Sequence, residues 1–98
     1  MALTRDYEEF LMEDLADPEE AAGYLSACLE EGEDVFLLGL RDVAKAQGGM
    51  SKLANDTELA REALYRMLSE DGNPTFSSIS AVLHAVGIQL QFVPTEHV

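Results

Sequence analysis

Arg61, Glu62, Tyr65 and Arg66 fall within one short stretch, and their spacing puts all four on the side of a helix that points away from Leu64 and Met67. Their functional groups are those that read base edges. A guanidinium grips O6 and N7 of guanine with two bonds, a carboxylate accepts from the cytosine amine, and a phenol offers its ring or hydroxyl. Upstream, Ser51 and Lys52 open another short helix, where a hydroxyl, an ammonium and the positive helix end suit a phosphate. Asn73 and Thr75 add candidate contacts to the nucleic-acid backbone. Any exposed helix carries Arg, Glu and Tyr to stay in solution, so the assignment depends on the elements that present these four side chains.

Other chemistries find little support. The single cysteine, Cys28, cannot form an internal disulfide, and two histidines, His84 and His97, offer no metal-ligand spacing. Cys28 reads as a small buried hydrophobe, and His84, beside an apolar stripe without a partner, as structural. The acid pairs Glu8-Glu9 and Glu19-Glu20 are sequence neighbours and diverge on a helix, the wrong geometry for shared acid–base work. No nucleophile–base set, phosphate-cradling loop or cofactor motif is present. The expectation is a non-enzyme with no metal and no cofactor.

The elements around the polar quartet are helices. Tyr7, Phe10, Leu11 and Leu15 recur at helical spacing over Asp6–Leu15. Asp17 suits an N-cap, Pro18 the first helical position, and Glu20 a capping-box-like return. A second helix then runs to Glu31 with Ala21, Tyr24, Leu25, Cys28 and Leu29 inward, ended by Gly32. Glu33–Gln47 forms a third helix, so continuously apolar over Val35–Leu40 that it needs cover on more than one side. Gly48-Gly49 breaks it. Met50–Asp56 and Ala60–Ser69 follow as two short helices separated by Thr57, Glu58 and Leu59. Asp71-Gly72-Asn73-Pro74 is a turn, and Thr75 caps a sixth helix with the stripe Phe76, Ile79, Val82, Leu83 and Val86, stopped at Gly87.

Beyond Gly87 the period changes to two: Ile88, Leu90 and Phe92 alternate with Gln89 and Gln91 until Pro94, the pattern of a short half-buried strand. A lone strand invites pairing with its copy in a second subunit, so Ile88, Leu90 and Phe92 are the expected dimer contacts of a two-fold homodimer. A chain of 98 residues buries only a modest share of its surface, which also favours association. The acidic N-terminus is unlike a secretory signal and no apolar run approaches a membrane span, so no membrane partner and a cytoplasmic location are expected.

Charge is the awkward observation. The net charge is −13, whereas nucleic-acid binders usually present a basic surface. The acidity is concentrated: residues 1–32 carry ten acids and one base, Arg5, and residues 33–98 carry nine acids and five bases.

Two helices joined by a three- or four-residue turn form a helix-turn-helix, whose second helix lies in the major groove. Leu53, Leu59, Ala54, Leu64 and Met67 meet its packing needs. Together with Asp17-Pro18-Glu19-Glu20-Ala21-Ala22 and Tyr24-Leu25, then Leu40-Arg41-Asp42-Val43-Ala44-Lys45-Ala46, Ser51-Lys52-Leu53-Ala54, Arg61-Glu62-Ala63-Leu64-Tyr65-Arg66 with Leu68-Ser69, and Gly72-Asn73-Pro74-Thr75-Phe76, the chain resembles the Cro/repressor-type (Xre) helix-turn-helix superfamily and, within it, the probable addiction-module antidote proteins. The resemblance covers most of the chain. It implies an all-α, five- to six-helix lambda-repressor-like fold, with the helix-turn-helix domain and its short C-terminal strand over residues 33–93, an acidic helical extension over 1–32 in the same compact unit, and a tail over 94–98. It also implies a double-stranded DNA operator, autorepression, and a basic partner toxin of RelE/ParE type. Two positions depart from the pattern: Glu58 stands where the turn usually has glycine, and Ala60 where Ser or Thr usually caps the second helix.

Given such a toxin, the acidic segment is either a solvated face or a docking surface complementary to it, in which Tyr7, Phe10 and Leu11 would be anchors and Glu13 and Asp14 part of the acidic rim. Two other readings stay open: a stand-alone transcriptional repressor without a toxin, and a protein-interaction module with a degenerate helix-turn-helix.

Overall fold

The computed structural model describes residues 2–95, with side chains from Tyr7 onward; the last three residues of the expected tail lie outside the described residues. Six helices make up this span: α1 (Ala2–Leu15), α2 (Pro18–Glu31), α3 (Glu33–Ala46), α4 (Gly49–Thr57), α5 (Arg61–Met67) and α6 (Phe76–Ala85). Local side-chain chemistry sets several of their ends. Asp17 Oδ1 accepts from the Glu19 N–H at 3.2 Å, with Pro18 in the first helical position of α2, where its missing N–H is harmless. Thr75 Oγ1 caps α6 by accepting from the Ser78 N–H at 3.1 Å.

α3 is the central element. α1, α2 and α4 all pack on it, and α4 in turn packs on α5 and α6. Leu15, Leu40, Val43, Leu64, Leu68 and Val82 are fully buried where these helices meet. α2 and α3 approach closely because Gly39 has no side chain: a β-carbon there would lie 2.7 Å from Cys28 Sγ, nearer than packed atoms tolerate. The expectation for Val35–Leu40 holds in part, since Leu37, Gly39 and Leu40 are buried whereas Leu38 is exposed.

The C-terminal strand expected over Ile88–Phe92 is absent; among the described residues no strand forms. Ile88 belongs to the end of α6 instead. Its N–H donates to Leu83 O at 2.9 Å, while that of Gly87, at φ +79°, donates to His84 O at 3.1 Å. These two bonds are the Schellman arrangement that closes a helix through a left-handed residue, with the following apolar side chain packed back onto the helix. Ile88 is half-buried against the core on that account. Without it, the alternation reduces to Leu90 and Phe92, both exposed, and among the described residues no second strand lies alongside to accept backbone hydrogen bonds.

The apolar stripes of α2 and α6 also differ at one position each. Ala21, Leu25 and Cys28 are buried as expected, but Leu29 is 54% exposed; Val82, Leu83 and Val86 are buried, but Phe76 is 66% exposed.

Candidate nucleic-acid interface

α4 and α5 are joined by Glu58, Leu59 and Ala60. Glu58 lies at φ +62° and ψ +21°, the only non-glycine among the described residues with positive φ. A residue with a β-carbon is disfavoured there by about 1–2 kcal/mol. Thr57 compensates within the turn, its hydroxyl donating to Leu53 O at 2.7 Å and accepting from the Leu59 N–H at 3.3 Å. Ala60 enters α5 with extended backbone angles but no side-chain cap. Inside the pair, Leu53 and Leu64 are buried and Ala54, Leu59 and Met67 pack against them.

Burying Leu64 fixes what α5 presents outward. Arg61, Glu62 and Arg66 are exposed and Tyr65 is half-buried beside them. Two cations lie over the Tyr65 ring: the Arg61 guanidinium is 5.8 Å from the ring centroid and that of Arg41, from α3, is 5.0 Å away. Such contacts are worth about 0.5–1 kcal/mol each where exposed. Arg41 is the functional candidate that sequence reasoning missed. Nothing in linear spacing brings the middle of α3 to α5, and only the tertiary packing makes them neighbours. Its Nε is buried and meets no hydrogen-bond acceptor among the described residues.

Ser51 and Lys52 are exposed in the first turn of α4, which Gly48 leaves without a side-chain cap, so early backbone N–H groups remain available to an anion. Lys52 Nζ is paired with Asp56 Oδ2 at 2.6 Å. An exposed pair of this kind is worth about 0–1 kcal/mol, small enough for a phosphate to displace. Five of the six basic residues, all but Arg5, lie between Arg41 and Arg66, against four acids in the same stretch.

The remaining two candidates sit differently. Thr75 uses its hydroxyl on its own helix, capping α6 and donating to Ser78 Oγ at 3.0 Å. Asn73 lines a groove together with Glu33, Asp34 and Glu70, acidic surroundings that repel a phosphate. The turn carrying both is fixed by Gly72, where a β-carbon would run into the Met67 carbonyl.

Residues 6–94 match the family described as "Probable addiction module antidote protein". The chain belongs to that family. It is also 37% identical over 91 residues to an uncharacterized protein of Haemophilus influenzae, covering 91% of this chain and 93% of that one. No solved structure matches. An addiction-module antidote is a non-enzymatic regulatory protein and implies a toxin as its partner.

For such an antidote the partner surfaces become the question. On α1, Leu11 and Leu15 face the core, with Leu15 fully buried, whereas Tyr7 and Phe10 are 66% and 63% exposed and Glu13 and Asp14 are exposed. Of the expected dimer contacts, Ile88 is half-buried in its own chain, and Leu90 and Phe92 are exposed. His84 is exposed on α6. Between α2 and α3, the Tyr24 hydroxyl donates to Asp42 Oδ2 at 2.9 Å. Burial, then this bond to a carboxylate, pushes the phenol well above its ordinary range. Burial likewise raises the Cys28 thiol, which keeps it protonated and unreactive. Among the described residues no cluster of His, Cys, Asp or Glu could hold a metal, and no helix is long and apolar enough to cross a membrane.

Proposed function

We propose that this antidote is a DNA-binding antitoxin of a type II toxin–antitoxin module, in which α4 and α5 act as a helix-turn-helix of lambda-repressor type and repress the operon encoding the pair. Residues 33–93 are the DNA-binding unit and residues 1–32 its acidic extension. The observation that carries the reading is the outward face of α5, where Arg61, Glu62 and Arg66 are exposed while Leu64 is buried, and the Arg41 and Arg61 guanidinium groups lie over Tyr65. In the major groove, Arg61 and Arg66 grip guanine edges while Glu62 and Tyr65 complete the readout. Ser51, Lys52 and Arg41 hold phosphates and set the register. Two copies, joined through the C-terminal segment bearing Leu90 and Phe92, place two such helices about 34–36 Å apart on a palindromic operator. The toxin neutralised is a basic protein of RelE/ParE type.

Anisotropy titration with DNA from upstream of the gene, against a shuffled fragment, tests the first half. Each arginine contributes about 1–3 kcal/mol to base discrimination. Arg61→Ala with Arg66→Ala therefore lowers specific affinity about thirtyfold or more, with the circular dichroism of the wild type. Unchanged affinity refutes the assignment. Co-expression with the product of the adjoining reading frame tests the second half: that product should be basic and arrest growth alone, and this chain should restore growth.

A second reading, a protein-interaction module whose helix-turn-helix has lost DNA, is favoured by the net charge of −13 and the uncapped, strained entry at Glu58 and Ala60. The same titration separates the two: a repressor prefers the upstream DNA over the shuffled fragment and loses affinity steeply with salt, whereas a module that has lost DNA shows no preference between them.

A further inference from the structure

Leu29 and Phe76, the stripe residues of α2 and α6 that the fold leaves uncovered, open onto the same groove of ≈ 700 Å³. It lies where the end of α2 and the first turns of α3 face the turn before α6. Half-buried Phe36 and Ile79 also line it. Every charged residue lining it is an acid: Glu33, Asp34 and Glu70. Apolar side chains in a concave seat with a rim of one charge form the anatomy of a protein-docking site, in which an anchor enters the pocket and charges around it select the partner. A second copy of this chain is a poor occupant. Its net charge is −13, and its basic residues, Arg5 aside, are confined to 41–66, the segment assigned above to DNA. The exposed face of α1 is a weaker seat for such an anchor, since the concavity there is lined by Glu8, Glu9 and Glu13 with Met12 alone as apolar lining.

We propose that this groove between α2, α3 and α6 seats the partner toxin, receiving an apolar side chain carried between basic residues. The inference rests on the antidote reading and names the surface that performs it. Asn73, which lines the groove, then belongs to toxin binding.

The probe is a synthetic helical peptide with two leucines one turn apart flanked by arginines, titrated into the full-length ¹⁵N-labelled chain, with a glutamate-flanked peptide as control. The arginine peptide shifts amide signals of Leu29, Glu33, Asp34 and Phe76, and the glutamate peptide does not. Phe76→Ser and Leu29→Ser, at exposed positions that leave the core intact, lower its affinity at least tenfold. Glu33→Gln with Glu70→Gln lowers it several-fold at low salt and little at high salt. Shifts centred on Tyr7 and Phe10, or shifts at no site, overturn the proposal. A growth assay with a toxin that the adjoining reading frame encodes separates this inference from the reading beneath it. If wild type gives no protection, the antitoxin reading fails. If wild type protects and Phe76→Ser with Leu29→Ser protects equally well, the groove alone is wrong.

Discussion

Replacing Glu58 by glycine should stabilise the protein, although it removes a side chain and lengthens nothing. Glu58 lies at φ +62°, and releasing a β-carbon from that region returns about 1–2 kcal/mol. Glycine also frees the unfolded chain, which takes back about 0.4–1 kcal/mol. The balance is a gain of about 0–1.6 kcal/mol centred on about 0.8, which at its centre is about 3–6 °C in Tm for a domain of this size. Nothing else is forfeited, since Glu58 is exposed and the ion pair found among the described residues joins Lys52 to Asp56. Thermal melts and urea titrations of wild type, Glu58→Ala and Glu58→Gly measure it. Alanine removes the carboxylate but keeps the strain, so it should stay within about 0.5 kcal/mol of wild type. If glycine is no more stable than alanine, the left-handed turn stores no strain and the argument fails.

Three further outcomes follow from single contacts. Ala60→Ser adds the missing cap at a residue whose backbone is already extended and should raise stability by about 0.5–2 kcal/mol in the same melts. Asp56→Ala frees Lys52 from its ion pair and should tighten DNA binding in low-salt anisotropy titrations, with a steeper salt dependence, as befits one more cation available to phosphate. Tyr24→Phe removes the hydrogen bond to Asp42 and should cost about 1 kcal/mol near neutral pH. Because the folded phenol is raised above its unfolded value, the folded state keeps a proton that the unfolded state loses above about pH 10. The Tyr24 contribution is thus full below that pH and lost as pH rises. Urea titrations between neutral and alkaline pH should show the gap between wild type and Tyr24→Phe closing as pH climbs past that value; a gap that widens there contradicts the burial of the phenol.

What could be read along the chain was whatever depends on neighbours in sequence. Asp17-Pro18 and Thr75 cap their helices through bonds two or three residues long, and the left-handed residue of the α4–α5 link is Glu58, the position where the family pattern has glycine. Hydropathic period, by contrast, states that a residue is apolar and leaves open whether anything covers it. Leu29 and Phe76 share the period of buried Leu25 and Val82, yet both are left more than half exposed. Ile88 shows the same ambiguity in another form, since one apolar residue after a glycine serves equally as the first residue of a strand or the last contact of a helix cap, and the bond to Leu83 decides it. Arg41 required the third dimension altogether. Its guanidinium reaches Tyr65 only because Leu40 and Val43, on either side of it in α3, are drawn into the core that also holds Leu64. The residues that local sequence places least well, Arg41, Leu29 and Phe76, are therefore those whose surroundings come from distant segments, and an interface is assembled from such residues because its partner must meet several elements at once.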